Sequence, residues 1–319
     1  MAKQAVLLLA HGTPETVEQI PDYLRNVVSG RPLPQHVVEE IQHRYAQIGR
    51  SPLTEITFAQ AKLVEAELAA SGCPVPVYVG MRNWRPYIPE VVRKMRADGI
   101  EQAAVICMAP QNSRTSVGLY RRAVEAEAGN LRIDFTAGWA QHPLLADAFA
   151  ERLQAALDRF SAEYGQPVPV LFTAHSVPTR TVEAPQDNVD TGKRLWPGQG
   201  TDPYAQEARH TAQLVAERVP NIPRWWFAFQ SQGASGGPWI GPSVEETLDQ
   251  IAAEGVKALI LQPIGFLCDH VEILFDVDIL FREYAARAGI QLKRPESLNA
   301  SPTLARAVAD LALAGLARF

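Results

Sequence analysis

Two apolar runs in this chain end in the same chemistry. Val6-Leu7-Leu8-Leu9-Ala10 leads into His11-Gly12-Thr13-Pro14, and Val170-Leu171-Phe172-Thr173-Ala174 leads into His175-Ser176-Val177-Pro178. An apolar run closed by a small polar turn reads as a buried parallel strand. Ligands of open α/β sheets sit just beyond the carboxyl ends of such strands. The spacing therefore places two imidazoles at equivalent points of two similar halves, facing one cleft. Imidazole titrates near neutrality and ligates metals, so such a pair can move protons or hold a cation.

A third stretch, Gly265-Phe266-Leu267-Cys268-Asp269-His270-Val271-Glu272-Ile273-Leu274-Phe275-Asp276, follows an apolar strand and opens a helix. On an α-helix Asp269, Glu272 and Asp276 share a face. Two readings stand side by side. Asp269 followed by Glu272 is a capping-box pattern; equally, a line of carboxylates descending from a cleft can bind a cation or pass protons outward. With His175 and His11, Glu272 forms a set suited to iron or zinc. Gly233-Ala234-Ser235-Gly236-Gly237 matches the nucleophile elbow of serine hydrolases, and His11-Gly12 mimics a lipase oxyanion loop. Pro238, Gly241 and Pro242 follow where that elbow needs a helix, which disfavours the hydrolase. No G-x-G-x-x-G follows the first strand and no Walker A motif occurs, so a nucleotide enzyme lacks its phosphate cradle.

Strand and helix must alternate to position these groups. Strands are expected at Ala5–Ala10, Val75–Val79, Ala103–Met108 and Ile133–Ala137, then at Val168–Thr173, Trp225–Phe229, Ala258–Leu261 and Gln291–Arg294. The helical stretches of the first half are Val37–Tyr45, Thr54–Ala70, Ile88–Ala97 and Ser116–Ala126. Those of the second are Pro143–Glu163, Asp202–Glu217, Val244–Glu254, Val271–Ala288 and Pro302–Ala314. This is an α/β chain with two parallel, doubly wound sheets. Residues 1–142 form one domain and 143–319 a second, the last helix packing back on the first. The polar, Pro- and Gly-rich stretch Thr179–Thr201 is the longest expected loop and borders a site.

The bulk composition narrows the function classes. A length of 319 residues with 47% hydrophobic and 20% charged residues suits two buried cores. A formal net charge of −5 does not suggest a nucleic-acid surface. Cys73, Cys107 and Cys268 form no CxxC pair, so no zinc or iron–sulfur framework is visible. Met1-Ala2-Lys3-Gln4 leads straight into a strand without a signal-peptide layout. No apolar run approaches the roughly 18–20 residues of a membrane span. With an odd cysteine count this points to a cytoplasmic protein without integral membrane contact.

At this point the residues resemble a known family. Ala174-His175-Ser176-Val177-Pro178, Gly265 through Glu272, and Gly237-Pro238-Trp239-Ile240-Gly241-Pro242 are similar to the signature segments of ferrochelatases. So are Tyr78-Val79-Gly80-Met81-Arg82 and Arg44-Tyr45 leading to Ser51-Pro52-Leu53. The similarity spans nearly the whole chain in the family's order.

The resemblance implies two Rossmann-like, chelatase-like domains with a porphyrin between them. It also implies insertion of Fe²⁺ into that porphyrin with release of two protons, in haem biosynthesis. Iron is then a substrate and no cofactor is permanently bound; the partners are porphyrin and haem, with no nucleic acid, and the chain is a monomer. His175 and Glu272 become the catalytic and metal contacts, with Asp276 as an onward proton acceptor. His11, Arg31, Arg44, Tyr45, Ser51, Tyr120 and Trp239 become substrate contacts, and Tyr23 and Met81 join Trp239 as candidate walls. His11 stands where relatives carry Tyr or Met against the porphyrin face. Val28-Ser29 stand where the family has a propionate-binding Arg, and Leu280 replaces an outer acid. Tyr120 and the missing apolar membrane lip favour coproporphyrin III. The alternatives are protoporphyrin IX, a non-catalytic haem or tetrapyrrole carrier, or a cobalt chelatase acting on a corrin precursor.

Overall fold

The computed structural model describes residues 2–113, 115–183, 202–232 and 238–319. The glycine-rich run around Ser235 and most of the expected loop Thr179–Thr201 lie outside them. The first sheet comprises β1 (Gln4–Ala10), β2 (Val77–Met81), β3 (Gln102–Cys107) and β4 (Arg132–Thr136), in the order β2-β1-β3-β4. The second comprises β5 (Val170–His175), β6 (Trp225–Gln230), β7 (Ala258–Pro263) and β8 (Gln291–Lys293), in the order β6-β5-β7-β8. Every pairing is parallel. The strand order reverses between β1 and β3 and again between β5 and β7. These are the switch points where open α/β sheets hold ligands, and His11 and His175 sit at them.

Alternation along β1 and β3 explains why both faces need cover. Val6, Leu8, Ala104 and Ile106 face one side, and Ala5, Leu7, Leu9, Ala103 and Val105 the other; all are buried. The first side packs under α3 (Leu53–Ala70), α6 (Pro143–Tyr164) and α11 (Pro302–Leu316). The same core continues through Val170, Phe172 and Ala174 of β5, so the two halves share one apolar interior. The opposite side is covered by α4 (Ile88–Ala97) and α5 (Val117–Ala128). The last helix crosses back onto α3 and β3. Arg318 beyond it donates to both carboxylate oxygens of Asp134 at 2.5 and 2.7 Å. Each buried Leu, Ile or Phe contributes roughly 1.5–3 kcal/mol, so this interior fixes the sheet ends that present the histidines.

Three elements differ from expectation. α1 (Ile20–Val27), entered through a 3-10 turn at Val17–Gln19, falls in a stretch where no element was expected. Its apolar residues Ile20, Tyr23, Leu24 and Val27 do follow helical spacing. α7 (Thr179–Glu183) opens the segment expected to be all loop. The expected helix Val271–Ala288 is instead a π-helix at Glu272–Phe281 followed by α10 (Arg282–Arg287). The remaining helices are α2 (Gln35–Ile48), α8 (Tyr204–Arg218) and α9 (Val244–Ala253). Among the described residues no helix is long and apolar enough to cross a membrane.

Candidate active site

His175 is the final residue of β5, one step inside the strand rather than in the following loop. Its carbonyl accepts from the Tyr204 hydroxyl at 2.9 Å. Beyond it, Ser176 donates its N–H to the Gln230 carbonyl at 2.7 Å and its hydroxyl to the Ile240 carbonyl at 2.8 Å. The strand end is thus anchored to β6 and to the segment carrying Trp239. Gly265, after β7, allows the close approach that completes the site. A Cβ there would stand 3.2 Å from Ala174 Cα and Cβ and 3.4 Å from the His175 nitrogen. The chain then brings Phe266 edge-on to the His175 ring, with centroids 6.3 Å apart, and against His270 at 4.5 Å.

Glu272 opens the π-helix. Its Oε2 lies 3.1 Å from His175 Nδ1 and 3.7 Å from His270 Nε2. The His175 approach is an ion-pair contact without the alignment of a hydrogen bond. His270 Nδ1 lies 3.1 Å from the Cys268 carbonyl, which fixes a proton on that nitrogen and turns Nε2 toward Glu272. Burial favours the neutral acid at Glu272, but the His175 and His270 imidazoles outweigh it and hold the carboxyl well below its usual range. Burial likewise opposes charge on His175, yet Glu272, then Asp276, raise its pKa. The two shifts keep the acid ionised and stabilise a proton once it is on the His175 ring.

Asp276 lies one turn further along the π-helix and is buried. Ser231 donates to its Oδ2 at 2.5 Å, and Arg44 from α2 donates to Oδ1 at 3.3 Å. Burial and the Glu272 charge push its pKa up to about 6, against the pull of Ser231, Arg44 and His175. Asp269 does not join this line. It accepts from Ser297 at 2.7 Å and Asn299 at 2.9 Å and pairs with Arg294 at 3.2 Å. Nor does it cap the helix, whose N-cap is Val271 with no side-chain cap bond. The expected three-carboxylate face is therefore two carboxylates, because the π-helix starts at Glu272 and Asp269 is tied to the chain after β8. π-Helical turns of this kind recur at functional sites.

On the opposite sheet, His11 Nε2 lies 2.9 Å from the Tyr23 hydroxyl, and Asn83 Nδ2 lies 3.0 and 3.2 Å from the two ring nitrogens. Burial, then the Arg82 charge, lower its pKa to about 3; His270 and His175 push the same way and Glu272 opposes them. His11 is therefore a neutral imidazole in the electrostatic field of the His175–Glu272 group. Gly12 follows at φ +77°, a conformation that favours glycine, with Met81 Cβ only 2.8 Å from where a Cβ would stand.

The other expected contacts divide. Tyr45 and Ser51 are buried, with their hydroxyl oxygens unpartnered, and Tyr45 packs on Tyr23 at 6.5 Å. Tyr120 is buried in the first turn of α5. Arg44 is occupied by Asp276 and by Glu40 at 2.5 Å, and stacks over Phe275. Arg31 stands in an exposed loop, its Nε on the Val28 carbonyl at 3.1 Å. Trp239 is half-buried and bridges to Pro178. Met81 is not a wall residue: it is fully buried in the core. Tyr23 is buried with its hydroxyl on His11. His270, Asn83, Ser231, Tyr204 and Arg82 join the site without having been singled out. Of these, His270 carried a signal beside Glu272 in the strand-following segment, and Arg82 closed the Tyr78–Arg82 segment that resembles the family. Among the described residues no group of three or more His, Cys, Asp and Glu side chains converges to hold a metal.

The ferrochelatase family model matches residues 3–316. The chain belongs to the ferrochelatase family. The ferrochelatase of Acidobacterium capsulatum is 58% identical over 318 residues, covering 99% of this chain and 96% of that protein. The coproporphyrin III ferrochelatase of Mycolicibacterium vanbaalenii is 34% identical over 318 residues, covering 98% of this chain and 89% of that protein. The solved structure of the sirohydrochlorin chelatase SirB from Bacillus subtilis subspecies spizizenii, in complex with cobalt, superposes with a TM-score of 0.54. It is 11% identical, covers 98% of this chain and 95% of that one, and shows the likeness of fold. Membership of the ferrochelatase family makes the chain an enzyme, a metallochelatase that inserts metal into a porphyrin in haem synthesis.

Proposed function

We propose that this chain inserts Fe²⁺ into coproporphyrin III, with His175 and Glu272 as the acting pair. The observation that carries the reading is the 3.1 Å contact of His175 with Glu272 at the β5 switch point, faced by a neutral His11 at the β1 switch point. Metallation replaces two pyrrole N–H protons by one cation. Each proton needs a base, and the metal must shed water. His175 accepts the two pyrrole protons in turn, passing on the first before it takes the second, and the ionised Glu272 stabilises the imidazolium that forms each time. The same carboxylate offers Fe²⁺ an oxygen as water leaves, which suits a divalent iron. Asp276, the next carboxylate along the π-helix, is the acceptor to which that proton can pass. His11, neutral and held by Tyr23 and Asn83, offers a nitrogen lone pair from the other sheet. Iron is substrate throughout, and the reading assigns no resident cofactor.

The choice of coproporphyrin is supported by donors on more than one side of the cleft. Tyr45 comes from α2, Ser51 from the segment leading into α3, and Tyr120 from α5. The test is anaerobic Fe²⁺ insertion with both porphyrins. Coproporphyrin III is expected to give the higher kcat/KM. A higher value for protoporphyrin IX would overturn the substrate choice, and no insertion into either would overturn the reading.

A further inference from the structure

Resting on the porphyrin-metallation reading, we propose that Gln230 is a positioning residue for the reaction: its side-chain amide fixes the start of the π-helix, and with it Glu272, against the strand that carries His175. Gln230 ends β6 and lies level with His175 in the parallel register. Its carbonyl accepts from the Ser176 N–H at 2.7 Å, which ties its backbone to the chain just beyond the base. Its side chain reaches the acid instead, and Nε2 donates to the Glu272 carbonyl at 3.3 Å. One residue therefore holds the base's strand with its main chain and the acid's helix with its side chain.

The sheet face beneath the π-helix is apolar. Leu171, Ala228, Leu259 and Leu261 pack there with Ile273, Val277 and Phe281. Two residues on from Leu171 and Ala228, and on the same face by strand alternation, stand Thr173 and Gln230, 0% and 1% exposed. Polar groups so placed cost stability unless each finds a partner. Thr173 donates its hydroxyl to Gln230 Oε1 at 2.6 Å. An apolar pair of the same shape would be close to neutral for stability, so the amide answers a need other than packing.

The hydrogen-bond directions leave that amide one orientation. A carbonyl only accepts, so Nε2 must face Glu272, and Oε1 then faces the Thr173 hydroxyl, which donates. The second amide N–H meets Ser231 Oγ at 3.3 Å, and Ser231 donates to Asp276 Oδ2 at 2.5 Å. Ser231 adopts φ +61°, a left-handed conformation uncommon outside glycine, which such a set of partners sustains. Both carboxylates of the π-helix are thus located from Gln230, Asp276 through Ser231 and Glu272 through its own main chain. Glu272 Oε2 stands 3.1 Å from His175 Nδ1. A misplacement of about 1 Å in such a pair can cost roughly 100-fold in rate.

The test is steady-state anaerobic Fe²⁺ insertion by the full chain and its variants, with whichever of the two porphyrins the parent metallates faster. Gln230→Met, which keeps the side chain's length and loses its donors, is expected to lower kcat roughly 10- to 100-fold with porphyrin KM within about threefold, the pattern of an interaction that serves the transition state. The paired variant Thr173→Val with Gln230→Met leaves no hydroxyl without its acceptor. It should keep the parent Tm within about five degrees and show the same loss of kcat, and it carries the test if Gln230→Met alone does not fold. In a Glu272→Gln background, Gln230→Met is expected to cost less than about threefold more, because it acts through the residue already changed. An unchanged kcat, a rise in KM with kcat intact, or a full second loss on top of Glu272→Gln would overturn the proposal while leaving iron insertion standing. Failure of the parent chain to metallate either porphyrin would strike the underlying reading instead.

Discussion

Removing the charge of Glu272 should move the pH dependence of turnover by an amount the geometry sets. Its carboxylate lies 3.1 Å from His175 Nδ1. Two unit charges at that distance attract by about 5 kcal/mol at an effective dielectric of about 20, and by about 1 kcal/mol in water. Water reaches both side chains, which are 34% and 31% exposed. The pair therefore falls between these limits, at about 1.5–3 kcal/mol, or roughly one to two pKa units. In Glu272→Gln the burial of His175 is opposed only by the more distant Asp276, and its pKa falls. His175 must be neutral to take a proton, so kcat/KM rises as pH climbs through its pKa. The variant should therefore shift the acid limb of kcat/KM down by about one to two units. Its plateau should also drop by about 10- to 100-fold, because the imidazolium loses its counter-charge. Initial rates of anaerobic Fe²⁺ insertion between pH 5.5 and 9 measure both. An acid limb that stays in place would refute the coupling of His175 to Glu272.

Two further outcomes follow from the same site. The Asp276 pKa is raised from 3.8 to about 6 in the folded protein, so its contribution to stability is fully present below pH 3.8 and is lost as pH rises through 6. Asp276→Asn removes that penalty. Its Tm relative to the parent should improve by a few degrees from pH 5 to pH 7.5, corresponding to about 1–2 kcal/mol; a constant Tm difference across this range would contradict the buried-acid reading. His11→Ala should alter the absorption spectrum of bound haem product, and an identical spectrum would show that His11 only packs.

Much of the scaffold was legible because it is written in local pattern. β1 and β3 are continuous apolar runs, and they proved buried on both faces. Ile88–Ala97 matched its helix to the residue, since Pro89 and the apolar spacing mark both its start and its inner face. His11 and His175 were found because each closes such a run. What stayed hidden was set by distant partners. Nothing in Glu272–Phe281 distinguishes a π-helix from an α-helix. Its charged side chains are instead met by Arg44 and Ser231 at Asp276 and by the bidentate Arg294 at Asp278, residues remote in sequence from at least one end of the contact. Asp269 looked like part of the carboxylate line because spacing carries no knowledge of Ser297 and Asn299. The pairing of Arg44 with Asp276 could not be read from the sequence, because the two residues lie 232 positions apart.

The account turns on one imidazole. His175→Ala should still bind coproporphyrin III, measured by quenching of its fluorescence, yet fail to insert Fe²⁺ in an anaerobic single-turnover assay. Metal insertion by that variant at close to the parent rate would contradict the assignment of His175 as the base.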